Sequence, residues 1–348
     1  MNSHQRMRNR LDGKPLDRPP NWNIFMTFAA HHVGQPLSSY YLDHRVLVDA
    51  NLAMVDDFGI DIVQAISDPY REAVDFGAAV EFPHDNLPLC KKPLLADPAD
   101  LKKLRKPDPT TSPRMLDRLN AVRLMREKVG ADVPVMGWVE GALAEAADLR
   151  GDANLLLDVY DRPGWLLELL ETCAEVAVAF ARAQVEAGAR IIGLGDAIAS
   201  QISPKMYCQY ALPYEQRIFD AVHEMGALAR LHICGNVTKI LPHAVKSGAD
   251  IIDLDWMVDM QAAARAFGDR VSFCGNFDPV AVMLRGTPDQ VYQATIDCLR
   301  AGTRTISAAG CEIPDGTPHE NLHAQSRALR DYGAPFTFRD GHSDGAML

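Results

Sequence analysis

The sequence is short of positive charge. Its 348 residues carry 35 Lys and Arg against 46 Asp and Glu, a formal net charge of -11. A nucleic-acid partner calls for a basic footprint, so DNA and RNA are not expected partners. Long apolar runs are missing as well. No stretch approaches the ~20 residues needed to cross a bilayer, and the polar opening Met1-Asn2-Ser3-His4-Gln5-Arg6 has no leader-like apolar core. The expectation is a cytoplasmic protein with no membrane role. A disulfide framework is also missing. The 7 cysteines are odd in number and widely scattered, which reads as a reducing compartment with thiols free for metal or chemistry. Cys173 and Cys298 sit in apolar helical patterns as small core or flanking residues. No G-x-G-x-x-G opens a helix after a strand, which removes the main dinucleotide signal. Identity repeats and low-complexity tracts are likewise missing.

A regular rhythm is present instead. Hydrophobic residues make up 47% and charged residues 23%, the composition of a soluble globular protein of one large domain or two ordinary ones. Residues 1–58 read as a helical N-terminal extension packed on the main body. Pro15, Pro19 and Pro20 interrupt its start, 22–26 is an apolar patch, and 47–58 is helix-like up to Gly59. Buried strand candidates follow near residues 62, 80, 135, 192, 230, 252, 273 and 306, the one near 230 covering 228–234. They alternate with helical patterns at 115–129, 154–160, 165–188, 213–225, 237–247, 260–267, 288–301 and 319–332. Such alternation means parallel strands with right-handed crossovers. One series of eight predicts an α/β domain over residues 59–340, a closed (β/α)8 TIM barrel rather than an open sheet.

In such a barrel the reactive groups sit at the C-terminal ends of the strands. There the sequence places Asp68, Trp138 with Glu140, Asp196, His232 with Cys234, Asp255, Cys274 with Asn276 and Asp278, and Cys311. In a strand that reaches Cys234, His232 and Cys234 point to one face. An imidazole beside a thiolate supplies two ligands of a zinc site, and Cys311 offers a third in a similar context. Three such ligands leave an open position for chemistry. The same residues equally admit a buried histidine and two inert thiols. A fourth ligand can come from Asp255 or Cys274, or the place can be left to water. Asp196 can as readily cap a helix, Trp138 can belong to the core, and Asp68 before Pro69 can serve a turn.

Over roughly residues 50–332 the chain resembles the uroporphyrinogen decarboxylase superfamily, and within it the zinc-dependent corrinoid methyltransferases. The marks are Gly188-Ala189-Arg190 leading to Asp196, then Leu231-His232-Ile233-Cys234-Gly235-Asn236, then Gly248-Ala249-Asp250 leading to Asp255. Gly275-Asn276-Phe277-Asp278-Pro279 follows, and Gly310-Cys311 with Thr317-Pro318-His319-Glu320-Asn321 comes last. In the methyltransferase branch the H-x-C pair and the late cysteine bind zinc, so the resemblance implies Zn2+ on His232, Cys234 and Cys311. It further implies a methylcobalamin-type corrinoid, carried by a partner protein, and a small-molecule methyl acceptor or donor. Asp255 and Asp196 are then expected to act in catalysis, and Asp68, Trp138, Glu140 and Asn276 to line the substrate.

The chain also departs from the decarboxylases. Those carry an arginine-rich M-R-Q-A-G-R type stretch that grips substrate carboxylates. Here the corresponding Asn23-Ile24-Phe25-Met26-Thr27-Phe28-Ala29-Ala30 has no arginine, and the decarboxylases lack the His-x-Cys pair. The expected activity is zinc-dependent methyl transfer, with a thiol acceptor held as its zinc thiolate. The alternatives are transfer from an O- or N-methyl donor to the corrinoid, decarboxylation of a uroporphyrinogen-like substrate, and a non-catalytic metal- or corrinoid-binding role. A monomer and a homodimer fit equally.

Overall fold

The computed structural model describes residues 1–333. Seven parallel strands form one sheet, each paired with the next in sequence. They are β1 (Val63–Gln64), β2 (Val135–Glu140), β3 (Ile191–Gly195), β4 (Leu228–His232), β5 (Ile251–Leu254), β6 (Ser272–Phe277) and β7 (Ile306–Ala309). β2, β3 and β5 are buried along their whole length, as parallel strands covered on both faces must be. Helices alternate with the strands and cover the sheet.

The sheet curls until its edges are bridged by residues 21–25. Asp61 N donates to Asn21 O at 2.9 Å on the β1 side, and Ala309 N donates to Asn23 Oδ1 at 2.9 Å on the β7 side. Gln64 Nε2 reaches Asn23 O at 2.7 Å and Ile313 N reaches Ile24 O at 2.9 Å. A (β/α)8 barrel is consistent with this arrangement, with a segment of the N-terminal extension lying where an eighth strand would stand. The expected strand near 80 is not part of the sheet. Residue 81 makes only an isolated antiparallel bridge to Leu89, because Pro83 and Pro88 deny the run the donors that a ladder needs.

The extension forms α1 (Ser3–Leu11), α2 (Thr27–His32), α3 (Leu37–Leu42) and α4 (His44–Phe58). α1 crosses the N-terminal end of the barrel. Its buried Arg10 donates to Thr305 O at 2.6 Å, and His4 N donates to Asp132 O at 2.8 Å. α4 ends at Gly59, whose φ of 66° is the left-handed cap that only glycine adopts without strain. Asn51 ties α4 to the sheet by accepting from Gln64 N at 2.8 Å. One hydrophobic core runs from Met7 to Ala324, through extension and barrel alike. The expected barrel end at 340 puts residues 334–340 outside the described residues.

Two helical expectations change. The pattern at 237–247 yields only Leu241–Ala244, since Pro242 is tolerated in a first turn and nowhere deeper. Ala142–Arg150, an alanine-rich run after Gly141, is a buried helix that the sequence reading passed over. The 25-residue helix Pro163–Ala187 packs close against β2 through Gln184. Its amide donates to Trp138 O and accepts from Trp138 N, at 2.8 and 2.9 Å. A Cβ on Gly137 would come within 2.6 Å of that amide oxygen, so glycine is what permits the approach.

Candidate metal centre

β4 stops at His232, two residues earlier than the sequence reading had it, so Cys234 lies in the following turn. The two side chains meet nonetheless. His232 Nε2 is 3.1 Å from Cys234 Sγ, Cys234 Sγ is 3.6 Å from Cys311 Sγ, and Cys311 Sγ is 3.9 Å from His232 Nε2. Among the described residues these three form the one group of convergent metal-ligand atoms. The two sulfurs find polar side-chain partners, among the described residues, only within the triangle. One nitrogen and two sulfurs are a donor set that suits zinc, and the residues fit that ion.

His232 is aimed by its other nitrogen. Nδ1 lies 2.8 Å from Asp253 Oδ2, and Asp253 is held by Arg230 Nε at 2.8 and 3.1 Å. Arg230 fills the barrel axis beneath the site, over the Trp22 ring at 5.7 Å and beside Cys274 Sγ at 3.7 Å. Burial opposes a charged His232, yet the charge of Cys234 and hydrogen bonds to Asp253 and both cysteines hold its pKa well above the ordinary value. The hydrogen bond from Cys234 holds the Cys311 thiol well below the usual range against burial, and the same bond pushes Cys234 up. Protons thus occupy the triangle that a metal would claim, so metal uptake releases them.

The turns are kept in place by Asp255. Its Oδ2 accepts from Gly235 N at 2.7 Å, one residue beyond Cys234, and its Oδ1 accepts from Trp256 N at 2.7 Å. A Cβ on Gly310, just before Cys311, would lie 2.7 Å from Asp255 Oδ1. Asp255 therefore touches both cysteine turns while standing outside the triangle. Asn276 stands farther back, with Nδ2 donating to Val258 O at 2.6 Å and Asp255 O at 3.3 Å. Asp278 holds its own turn through Val280 N and Ala281 N. Cys274 is buried below with Arg230, and burial pushes its thiol up.

The wall opposite is built of carboxylates and arginines. The Trp138 ring stands 5.9 Å from that of His232. Its slot is cut by Gly193 and Gly195, where added Cβ atoms would lie 2.3 and 3.2 Å from the indole. Asp68 pairs with Arg114, and Arg71 joins Asp68 O at 2.6 Å to Glu140 Oε1 at 2.9 Å. Burial pushes Glu140 up to about 7 despite Arg71. Asp196 accepts from Ala144 N at 2.9 Å in the first turn of Ala142–Arg150, and burial pushes it up to about 7 too. It caps a helix, though that of the preceding unit.

Asp253, Arg230, Arg71 and Glu72, whose Oε2 lies 3.3 Å from Arg71 Nη2, were not foreseen. Asp253 had a signal: it stands two residues before Asp255 on a strand and faces the same interior. Arg71 and Glu72 follow a Pro69 turn, where no spacing distinguishes them.

The sequence pattern of the family described as Uroporphyrinogen decarboxylase (URO-D) matches residues 2–332. The chain belongs to the URO-D family. It is 36% identical over 219 residues to the methylcobamide:CoM methyltransferase MtbA of Methanosarcina mazei, a stretch covering 62% of this chain and 63% of that relative. It is 27% identical over 338 residues to the methylcobamide:CoM methyltransferase MtaA of Methanosarcina barkeri, covering 93% and 96%. A solved methyltransferase from Methanosarcina mazei superposes with a TM-score of 0.88 at 25% identity, over 96% of this chain and all of that one. The fold is therefore matched nearly end to end by that structure. No helix among the described residues is long and apolar enough to cross a membrane.

Proposed function

We propose that the protein is a zinc-dependent methyltransferase that moves a methyl group between a protein-bound corrinoid and a small substrate, with a thiol as acceptor. The observation that carries this reading is the His232–Cys234–Cys311 triangle, with the imidazole oriented by Asp253. Relatives named for methylcobamide and CoM support the corrinoid and the acceptor class. His232, Cys234 and Cys311 would hold the zinc, which would supply a Lewis acid able to keep a thiol deprotonated near neutral pH. In such a transfer the thiol sulfur would take the methyl group, an S–C bond forming as the Co–C bond breaks, with the electron pair of the Co–C bond left on the corrinoid.

The chain's own groups do the rest. Asp253 fixes which imidazole nitrogen faces the metal. Asp255 holds the two cysteine turns through Gly235 N and Trp256 N, and as a fourth ligand it would have to give up one of those bonds. Trp138, Glu140 and Asp196 form the opposite wall, where burial pushes both carboxyl groups up to about 7. Asp68 and Asn276 brace that wall and the β5 loop. Trp256 and Met257, 51% and 41% exposed beside the Cys234 turn, offer the carrier an apolar landing surface.

A decarboxylase is disfavoured by the same geometry. Arg71 and Arg114 are already paired with Glu140 and Asp68. The arginine-free segment meets Glu312, whose carboxylate accepts from Met26 N and Thr27 N. Purified protein given methylcobalamin and a panel of thiols tests the proposal. Conversion to cob(I)alamin with methylation of a thiol is expected. Decarboxylation of uroporphyrinogen without methyl transfer would overturn it.

A further inference from the structure

The opposite end of the barrel poses a separate question. Val133 and Pro134 precede β2, Arg190 precedes β3 and Leu228 opens β4, and together with α1 they enclose a cavity of about 340 Å³. Arg8, Arg126 and Arg190 line it with His4. None of the three arginines belongs to an ion pair among the described residues, although nearby Arg6 and Arg182 are paired with Asp17 and Glu224. Arg126 spends one guanidinium N–H on Gly130 O, and Arg8 and Arg190 have no side-chain hydrogen bond among the described residues. Three unpaired guanidiniums on one cavity run against the charge of a chain with net -11.

Two turns of the same design show that the fold does not require Arg190. Gly188-Ala189-Arg190 enters β3 as Gly248-Ala249-Asp250 enters β5, with both glycines at positive φ, 120° and 93°. Asp250 is engaged: its Oδ2 accepts from Ala229 N at 2.8 Å and meets His223 Nε2 at 3.0 Å. Arg190 at the twin position anchors nothing and is exposed at the cavity. His4 reports the convergence. Burial first, then the charges of Arg8, Arg190 and Arg126, push its pKa below the ordinary value.

We propose that this cavity is an oxyanion site in which Arg8, Arg126 and Arg190 hold a phosphate group, either free or carried on a small organic molecule. Guanidinium forks match tetrahedral oxyanions through paired N–H donors. The floor of Met7, Val133, Pro134 and Leu228 is apolar, and the volume exceeds what a bare phosphate fills, which leaves room for an organic body. The site lies at the N-terminal ends of the strands, so it is distinct from the metal triangle and takes no part in methyl transfer.

Calorimetry on the full chain at low ionic strength tests this, because exposed charges are screened by salt. Inorganic phosphate, pyrophosphate and AMP serve as probes. Saturable binding of at least one probe, one per chain, is expected, weakened at least about tenfold in Arg190→Ala and abolished in Arg190→Asp, which copies the twin turn. Equal affinity for phosphate and AMP would identify a free ion; tighter AMP would identify a carried one. Methyl transfer and the melting temperature without ligand should match the parent in both variants. Absence of saturable binding by all three probes, or unchanged binding in the Arg8→Ala/Arg126→Ala/Arg190→Ala triple variant, would overturn the proposal.

Discussion

At the ends of β1 and β2, Asp68 and Glu140 are answered by Arg114 and Arg71. At the ends of β4 and β7, Cys234 and Cys311 find side-chain partners among the described residues only in each other and in His232. Both halves of the mouth are polar, yet in one the carboxylates meet arginines while in the other two half-buried thiols meet a single imidazole. Buried polar groups need partners. The first half is complete as a protein structure, whereas the second would be completed by the soft metal ion proposed for it. That contrast separates groups that brace a site from groups that hold what reacts in it.

The comparison breaks first if the cysteines are dispensable. Cys234→Ser and Cys311→Ser should each lose most of the bound zinc, measured by plasma mass spectrometry. Methyl transfer should fall by at least ~10³-fold, since a Lewis acid supplies several kcal/mol. Circular dichroism should still show a folded barrel, because its core does not depend on the metal. The opposite half should respond in stability instead. Arg71→Ala strands Glu140 and Glu72 in the interior and should cost roughly 3–5 kcal/mol in urea unfolding, with zinc retained. Zinc loss without destabilisation would show that the halves are not separate.

A smaller effect sharpens the metal half. Asp253→Asn keeps the shape but weakens the hold on His232 Nδ1, and zinc affinity should drop roughly 10–100-fold in a chelator competition. The smallest effect concerns proton binding. Glu140 is raised by burial from 4.5 to about 7, so the folded chain binds this proton more tightly than the unfolded one. Its contribution to stability is full below pH ~4.5 and declines as pH rises through about 7. Glu140→Gln should flatten that decline by ~1–3 kcal/mol, measured as unfolding free energy from pH 5 to 8.

The strands near 135, 192, 252 and 306 were legible because buried apolar runs between helical patterns have few other readings. The triangle was legible because soft ligands stood at two strand ends. Residues 21–25 were not, since a short apolar patch in a proline-broken extension carries no period; its place between β1 and β7 follows from tertiary closure. The helix Ala142–Arg150 was missed because a run buried all round has no polar face to reveal its period. Asp196, expected in catalysis, and Asn276, expected at the substrate, both make hydrogen bonds to backbone groups. Strand-end position alone does not tell a carboxylate or amide facing a ligand from one facing the next turn.

The most direct measurement is X-ray absorption at the zinc edge of the purified protein, with and without a saturating thiol substrate. Without thiol, two sulfur ligands and one imidazole are expected, from Cys234, Cys311 and His232. With thiol, the sulfur count should rise from two to three as an oxygen ligand is lost. A count that stays at two under saturating thiol, in protein that still methylates that thiol, would contradict the account.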